Sequence, residues 1–284
     1  MNYLVLGCNG MAGHIISLYL KEQGHNVTGF ARTPSKYVES ITGDACNTEL
    51  LKKVINEKKF DAVINVIGLL NHFAENNKSE AVFLNAYLPH FLADITSEKD
   101  TQIIHISTDC VFSGNKGGYS ETDHPDGATF YDRSKALGEI EDKKNITFRN
   151  SIVGPDIKDN GIGLLNWFMK QQGQINGYTG AIWTGQTTLQ LAKTIETAAK
   201  EKVYGLYNMV PNESISKYDL VKLFNHYLRN DSLEINPVVG ISLDKSLIRT
   251  RFDFNYIIPG YEQMVAEMAE WMRSHKYLYP HYNL

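Results

Sequence analysis

The stretch that decides the fold is residues 3–20, YLVLGCNGMAGHIISLYL. Tyr3 to Leu6 have the length of a short buried strand and run directly into a turn with glycine at positions 7, 10 and 13. From Met11 the spacing changes, because Met11, Ile15, Leu18 and Tyr19 fall on one stripe of a helix. Strand, glycine turn and helix make the first half of a βαβ unit. The glycines let the chain turn tightly, let the backbone approach a diphosphate and let the helix pack close to the strand. Free N–H groups at the helix N-terminus then face the anion. Gly7, Asn9, Gly10, Met11 and Gly13 are therefore expected at a dinucleotide cofactor. The plainer possibility, a glycine-rich turn with no ligand, is common in α/β proteins.

Working outward, a second strand is expected over residues 25–30. In a site for NAD such a strand ends in Asp or Glu, which bonds the ribose 2′-hydroxyl. Here it ends Gly29-Phe30-Ala31-Arg32, followed by Thr33, Ser35 and Lys36, with no carboxylate. Arg32 is placed to pair with a 2′-phosphate, which favours NADPH over NADH. The same residue also reads as an exposed loop arginine. Asp44 and Ala45 would flank the adenine, and Asp44 reads equally as the cap of a helix beginning near Thr48. Residues 61–67 form a buried strand, and Gly68 at its end permits close backbone approach to the cofactor. A helix over 79–96 holds Asn85 among Val82, Phe83 and Leu84. An amide there is more often a structural hydrogen bonder than a catalytic group.

Further strands are expected over 101–107 and 146–149. The alternation of strands and helices as far as Arg149 predicts an α/β fold, a Rossmann-like doubly wound parallel sheet with its site at the strand C-termini. Residues 1–150 would be the NADP-binding domain. Residues 151–284 would be a smaller α/β part, mainly substrate-binding, with some segments packing back on the first. Helices are expected over 163–171, 187–200, from Ser214 and over 262–275, with a strand over 203–209. The aromatic tail from His275 reads as packing or subunit contact, so a homodimer is one possibility.

Composition narrows the class. The chain has 284 residues, 43% of them hydrophobic and 21% charged, with a net charge of −4. That describes an ordinary globular protein and argues against a broad nucleic-acid-binding face. Three distant cysteines, Cys8, Cys46 and Cys110, read as reduced thiols in a cytoplasmic protein. The apolar start lacks the form of a signal peptide, and no apolar run reaches the roughly 20 residues of a membrane span.

The chemistry is concentrated in residues 105–139, HISTDCVFSGNKGGYSETDHPDGATFYDRSKALGE. A strand ends in Ser107, Thr108 and Asp109. A polar loop then leads to a helix carrying Tyr131 and Lys135 four residues apart, on one face. An ammonium beside the phenol would lower the tyrosine pKa from about 10, making Tyr131 a proton donor or acceptor near neutral pH.

Together, Gly7-x-x-Gly10-x-x-Gly13, Ser107-Thr108-Asp109 and Tyr131-x-x-x-Lys135 resemble the extended short-chain dehydrogenase/reductases. STDCVFSG, YSETD and YDRSKALGE are most similar to 4-keto-sugar-nucleotide reductases of the dTDP-4-dehydrorhamnose reductase type. The resemblance covers the N-terminal half strongly and the rest by general layout. It implies a catalytic set of Thr108, Tyr131 and Lys135, with Asn85 completing a proton relay. Val66, Ile67 and Gly68 match the segment under the dinucleotide, and Ser151 to Gly154 match the segment between nicotinamide and substrate.

Two departures bear on the sugar. Cys110 stands where these reductases usually carry Tyr, and Ile152 where they can carry a stacking Trp. Trp183 reads either as a substitute aromatic wall or as a core residue. Dehydratases of the family carry Thr-Asp-Glu, so Cys110 lacks their carboxylate. The expected reaction is NADPH-dependent reduction of a nucleotide-linked sugar ketone. Thr108, Asp109, Cys110, Ser151, Ile152 and Trp183 would line the substrate site, and Lys170, Arg249 or Arg251 would supply a positive group near its diphosphate. A dehydratase or epimerase, or an NADP-binding regulatory subunit, are the alternatives.

Overall fold

In the computed structural model, which describes residues 1–284, the apolar runs at 2–6, 62–65, 102–106 and 146–149 become buried strands. The first half contains β1 (Asn2–Leu6), α1 (Met11–Glu22), β2 (Asn26–Ala31), β3 (Glu39–Thr42), α2 (Thr48–Glu57) and β4 (Ala62–Asn65). It continues with α3 (Asn71–Asn76), α4 (Lys78–Ala81), a π-helical turn (Val82–Tyr87) and α5 (Leu88–Ile95). Then come β5 (Gln102–Ile106), α6 (Phe130–Leu137) and β6 (Ile146–Arg149). The second half is built from β7 (Ser151–Val153), α7 (Leu164–Met169), β8 (Gln174–Tyr178), β9 (Ala181–Trp183), β10 (Gly185–Thr187) and α8 (Thr188–Glu201). β11 (Gly205–Asn208), β12 (Ile215–Ser216), α9 (Lys217–Arg229), β13 (Glu234–Val238), β14 (Leu243–Asp244) and α10 (Tyr261–Ser274) complete it.

The central sheet has the order β11-β6-β5-β4-β1-β2-β3, and every pairing in it is parallel. Strands are added to one side of β1 and then, after a crossover, to the other. The switch point lies between β1 and β4, where a cleft opens at the strand C-termini. Every residue of β4, β5 and β6 is buried, as required when helices cover both faces of a parallel sheet. The doubly wound fold read from the sequence is present.

Gly13 shows why the opening motif needs glycine. A Cβ there would lie 2.1 Å from the Gly7 carbonyl oxygen, so α1 could not pack so closely on the turn. Gly7 itself has φ +86°, the left-handed region that glycine adopts without strain.

The second half is woven into the first. β11 extends the central sheet beside β6, and α8 packs against α1. One apolar cluster runs from Tyr3 and Ile15 through Phe168 and Leu191 to Met268. Outside the sheet, residues after 150 form short pairings: β7 with β10, β8 with β13, and β9 between β12 and β14.

Two local readings are corrected. The cap of α2 is Asn47, whose side chain accepts the Leu50 N–H at 3.0 Å, whereas Asp44 accepts the Cys46 N–H two residues along. The helix expected from Ser214 begins at Lys217, because Ile215 and Ser216 first pair with β9 and Ser216 then caps α9. No helix is long and apolar enough to cross a membrane.

Candidate active site

A cavity of about 360 Å³ opens at the switch point, within the range of small-molecule sites. Gly7, Asn9, Gly10, Arg32, Asp44, Ala45, Val66, Ile67 and Gly68 line it, each expected there from the sequence. The glycine turn forms one edge and the exposed Arg32 another, and no ion pair occupies that guanidinium. Asn9 donates to the Thr33 carbonyl at 2.8 Å and so fastens the turn to the segment after β2. Gly68 is the inner wall. A Cβ there would stand 3.2 Å from Asn85 Oδ1 and 4.0 Å from Lys135 Nζ, so a side chain would crowd the amide. A cleft with free helix N–H groups at one end and a cation at the other fits a phosphorylated dinucleotide. Met11 and Gly13 serve differently, Met11 as the first residue of α1 and Gly13 as the packing point. Glu80 and Lys158 also line the cavity, and sequence reading missed both.

Thr108, Asp109, Cys110 and Tyr131 are gathered at the mouth of β5. Thr108 accepts the Cys110 N–H at 3.1 Å and donates to Asp109 Oδ1 at 3.1 Å, capping the short turn that follows the strand. Helix α6 is placed by a capping box between Thr129 and Asp132, and Glu75 of α3 accepts the Phe130 N–H at 2.6 Å. Tyr131 then packs under Ala74 and Ala81, beside Leu69 and Cys110, and is only 7% exposed.

The electrostatics correct the expectation for Tyr131. Burial raises its pKa well above the ordinary tyrosine value, with the nearby Cys110 adding to this and the Thr108 hydroxyl opposing it. Lys135 is not among the groups that shift it most, and its ammonium donates to the Ile106 carbonyl at 2.8 Å. Burial lowers Lys135 to about 8, offset in part by Glu139. The Tyr131 phenol therefore stays protonated across the neutral range. Burial also pushes the Cys110 thiol up to about 12 and raises Asp109, so Cys110 exchanges no proton near neutral pH.

Lys135 has buried polar neighbours that sequence reading passed over. His105 Nε2 lies 3.5 Å from Lys135 Nζ, and Asn65 Nδ2 lies 3.3 Å from His105 Nδ1. The Ile67 N–H donates to Asn65 Oδ1 at 3.2 Å, which orients the amide so that Nδ2 faces the ring. Burial holds His105 well below its ordinary pKa, with the Lys135 charge adding to this, so the ring is neutral. The clue available in sequence was a polar residue at equivalent levels of two apolar strands, Asn65 in β4 and His105 in β5, which the parallel register pairs.

Asn85 sits in the π-helical turn and is fully buried. Its Oδ1 accepts the Leu69 N–H at 2.8 Å, and its Nδ2 donates to Leu69 O at 2.9 Å and Ser134 Oγ at 3.0 Å. It thus fastens the loop after β4 to α6, and the wider π turn is the kind of irregularity common at functional sites.

In the second half, Ser151 and Ile152 lie in β7 and pair with Gly185 and Gln186 of β10. Trp183 is corrected to a core residue: it is buried against Tyr261, ring centroids 5.6 Å apart. Both arginines proposed for a diphosphate are occupied. Arg249 donates to the carbonyls of Arg251, Phe254 and Tyr256, tying its own loop together. Arg251 pairs with Asp253 at 2.6 Å, bonds Tyr207 Oη and stacks 4.0 Å over the Tyr207 ring. Lys170 pairs with Asp159 at 2.8 Å. Their charges are neutralised or locked within the fold, which sequence cannot reveal.

The chain was compared with known proteins. A family model described as RmlD substrate binding domain matches residues 1–250. A probable low-salt glycan biosynthesis reductase of Haloferax volcanii is 28% identical over 266 residues, covering 88% of each chain. A dTDP-4-dehydrorhamnose reductase of Aggregatibacter actinomycetemcomitans is 26% identical over 84% of this chain and 83% of its own. Among solved structures, a dTDP-4-dehydrorhamnose reductase of Bacillus anthracis in complex with NADP superposes with TM-score 0.78 at 20% identity, covering 94% of this chain and 98% of that one. A UDP-glucose 4-epimerase of Thermotoga maritima also reaches 0.78, at 15% identity, over 97% and 100% of the two chains. The global fold is thus shared by enzymes of different chemistry, whereas the sequence match is specific: the chain belongs to the RmlD substrate binding domain family.

Proposed function

We propose that the protein reduces the 4-keto group of a nucleotide-linked 6-deoxy sugar, dTDP- or UDP-linked, with NADPH, in the synthesis of cell-surface polysaccharide precursors. The observation that carries this reading is the group formed by Thr108, Tyr131 and Cys110 after β5, next to the cleft through Leu69, which packs on Tyr131 and also lines the cavity. It contains a protonated phenol and a hydroxyl, but no carboxylate where a dehydratase would have one. The relatives named as reductases support it.

When bound, the dinucleotide supplies a hydride to the carbonyl carbon. This chain's residues do the rest. The Thr108 hydroxyl, turning from Asp109, steadies the carbonyl oxygen as negative charge forms on it, and Tyr131 Oη gives that oxygen its proton. One ketone, one hydride and one proton make one alcohol. Lys135, close behind Gly68, is placed to meet the nicotinamide ribose, while the Ile106 carbonyl holds it and Asn85 holds the neighbouring loop. Arg32 would meet the 2′-phosphate, and Asp44 and Ala45 the adenine. Residues 151–284 would mainly supply the substrate side, with Cys110, Ser151 and Ile152 beside the sugar.

A second reading, NADP binding without turnover, is favoured by the cover that Ala74 and Ala81 place over Tyr131. One experiment separates the two: following NADPH oxidation by the purified protein against a panel of dTDP- and UDP-linked 4-keto sugars. Turnover of one member supports the reductase. NADPH binding with no turnover on any member overturns it in favour of the binding module.

A further inference from the structure

The cofactor cleft has a cation that neither the glycine motif nor the catalytic set accounts for. Lys158 belongs to the loop after β7, in the second half of the chain, yet it lines the same cavity as Gly7, Gly10 and Arg32. It is exposed and joins no ion pair, while Lys170 nearby is paired with Asp159. The other charged groups lining this cavity are Arg32, Asp44 and Glu80.

The loop carrying Lys158 is tied down. Asp156 Oδ1 accepts the Lys158 N–H at 2.9 Å. Asn166 Nδ2 donates to the carbonyls of Asp159 at 2.9 Å and Gly161 at 2.6 Å. Both sides of this bracket meet the C-terminal aromatic segment in one hydroxyl. Tyr282 Oη accepts the Asp156 N–H at 3.0 Å and donates to Asn166 Oδ1 at 2.8 Å. Tyr282 is 6% exposed, so these bonds are shielded from water.

The same segment is also fastened to the opposite lip of the cleft. His14 Nδ1 lies 3.0 Å from the Gly10 carbonyl, an acceptor only, so the ring proton is on Nδ1. His14 Nε2 therefore accepts from Tyr279 Oη at 2.8 Å. Where the loop returns, a Cβ on Gly163 would come within 3.2 Å of Met11 Sδ, in the first turn of α1. The loop thus passes over the helix N-terminus that faces the diphosphate.

We infer that residues 279–282 hold the two lips of the cleft in register, so that Lys158 closes over the cofactor's diphosphate opposite the α1 N-terminus. The lysine is a cofactor-binding residue supplied by the second half, and Tyr279 and Tyr282 are positioning residues. This rests on the dinucleotide reading of the cleft.

The test is direct cofactor binding, read by fluorescence titration of NADPH and NADH with the full chain. Lys158→Ala raises both dissociation constants by about tenfold, as expected for loss of a charge-assisted phosphate contact, and Lys158→Arg restores most of the affinity. Tyr282→Phe, which keeps the ring, weakens both cofactors by about threefold while circular dichroism shows a folded protein. If Lys158→Ala binds both cofactors like the parent, the inference is wrong. A loss confined to NADPH overturns the diphosphate assignment in favour of the 2′-phosphate. Tyr282→Phe with a lowered melting temperature and unchanged affinity removes the positioning role. If the parent protein binds neither cofactor, the dinucleotide reading itself fails, an outcome distinct from these.

Discussion

The two halves of the chain handle charge in opposite ways. In the first half, polar residues that follow the central strands converge on one cleft: Asn9, Arg32 and Asp44 line it, and Lys135 lies close behind Gly68. In the second half, Lys158 apart, three cations expected to face a ligand are engaged by the chain itself. Arg249 holds three backbone carbonyls, Arg251 holds Asp253 and Tyr207, and Lys170 holds Asp159. The difference follows from architecture. A parallel sheet brings its strand C-termini to one edge, so residues there share a site automatically. The short strand pairs after residue 150 have no common edge, and their long connections are stabilised by side chains that bond to carbonyls.

The largest effect expected from this contrast is at the convergent site. Tyr131→Phe removes only a hydroxyl, so cofactor affinity is retained while ketone reduction falls by about 10²–10⁴, the usual scale for general acid catalysis. Steady-state kinetics beside a binding titration check this, and undiminished reduction would break the mechanism. Because burial keeps the phenol protonated, the parent's rate should show no loss from Tyr131 ionisation below pH 10.

Arg249→Ala probes the other side of the comparison. Losing a guanidinium bonded to three carbonyls is expected to lower stability by about 2–3 kcal/mol in denaturant unfolding, with the Michaelis constant for sugar nucleotide unchanged in the folded fraction. A raised Michaelis constant at full stability would return this arginine to the substrate site.

His14 tests the seam between the halves. Burial holds it down to about 4, from an ordinary 6.5, so the unfolded chain binds the extra proton first as pH falls. Its contribution is therefore fully present above about pH 6.5 and lost progressively towards pH 4. At pH 5 the loss is on the order of 2 kcal/mol. Urea unfolding at pH 7 and pH 5 measures it. His14→Gln is expected to flatten this part of the pH dependence, and an unchanged slope would remove His14 from the account.

Arg32→Glu carries the smallest expected change: about tenfold weaker NADPH binding, with NADH favoured relatively. Competitive titration checks it. Equal affinity of the parent for both cofactors would show that Arg32 reads no 2′-phosphate.

Sequence alone determined the doubly wound sheet, because hydrophobic runs of strand length, alternating with helical stripes, admit few other packings. It also anticipated which residues line the cleft, since Gly7 and Gly10 answer to local backbone geometry and Arg32 follows directly from the end of β2. Tertiary structure decided what depends on partners distant in sequence. Tyr131 and Lys135 stand one helical turn apart, but burial is the largest influence on the charge state of each, opposed at Lys135 by Glu139. The Asn65–His105 pair exists only through the register of β4 with β5. Lys158 reaches the cleft because a loop from one half, fixed by Tyr282, passes over a helix from the other. A periodic pattern records which way a side chain faces. Which donor meets it, and how much water is left beside it, are settled only when the halves close together.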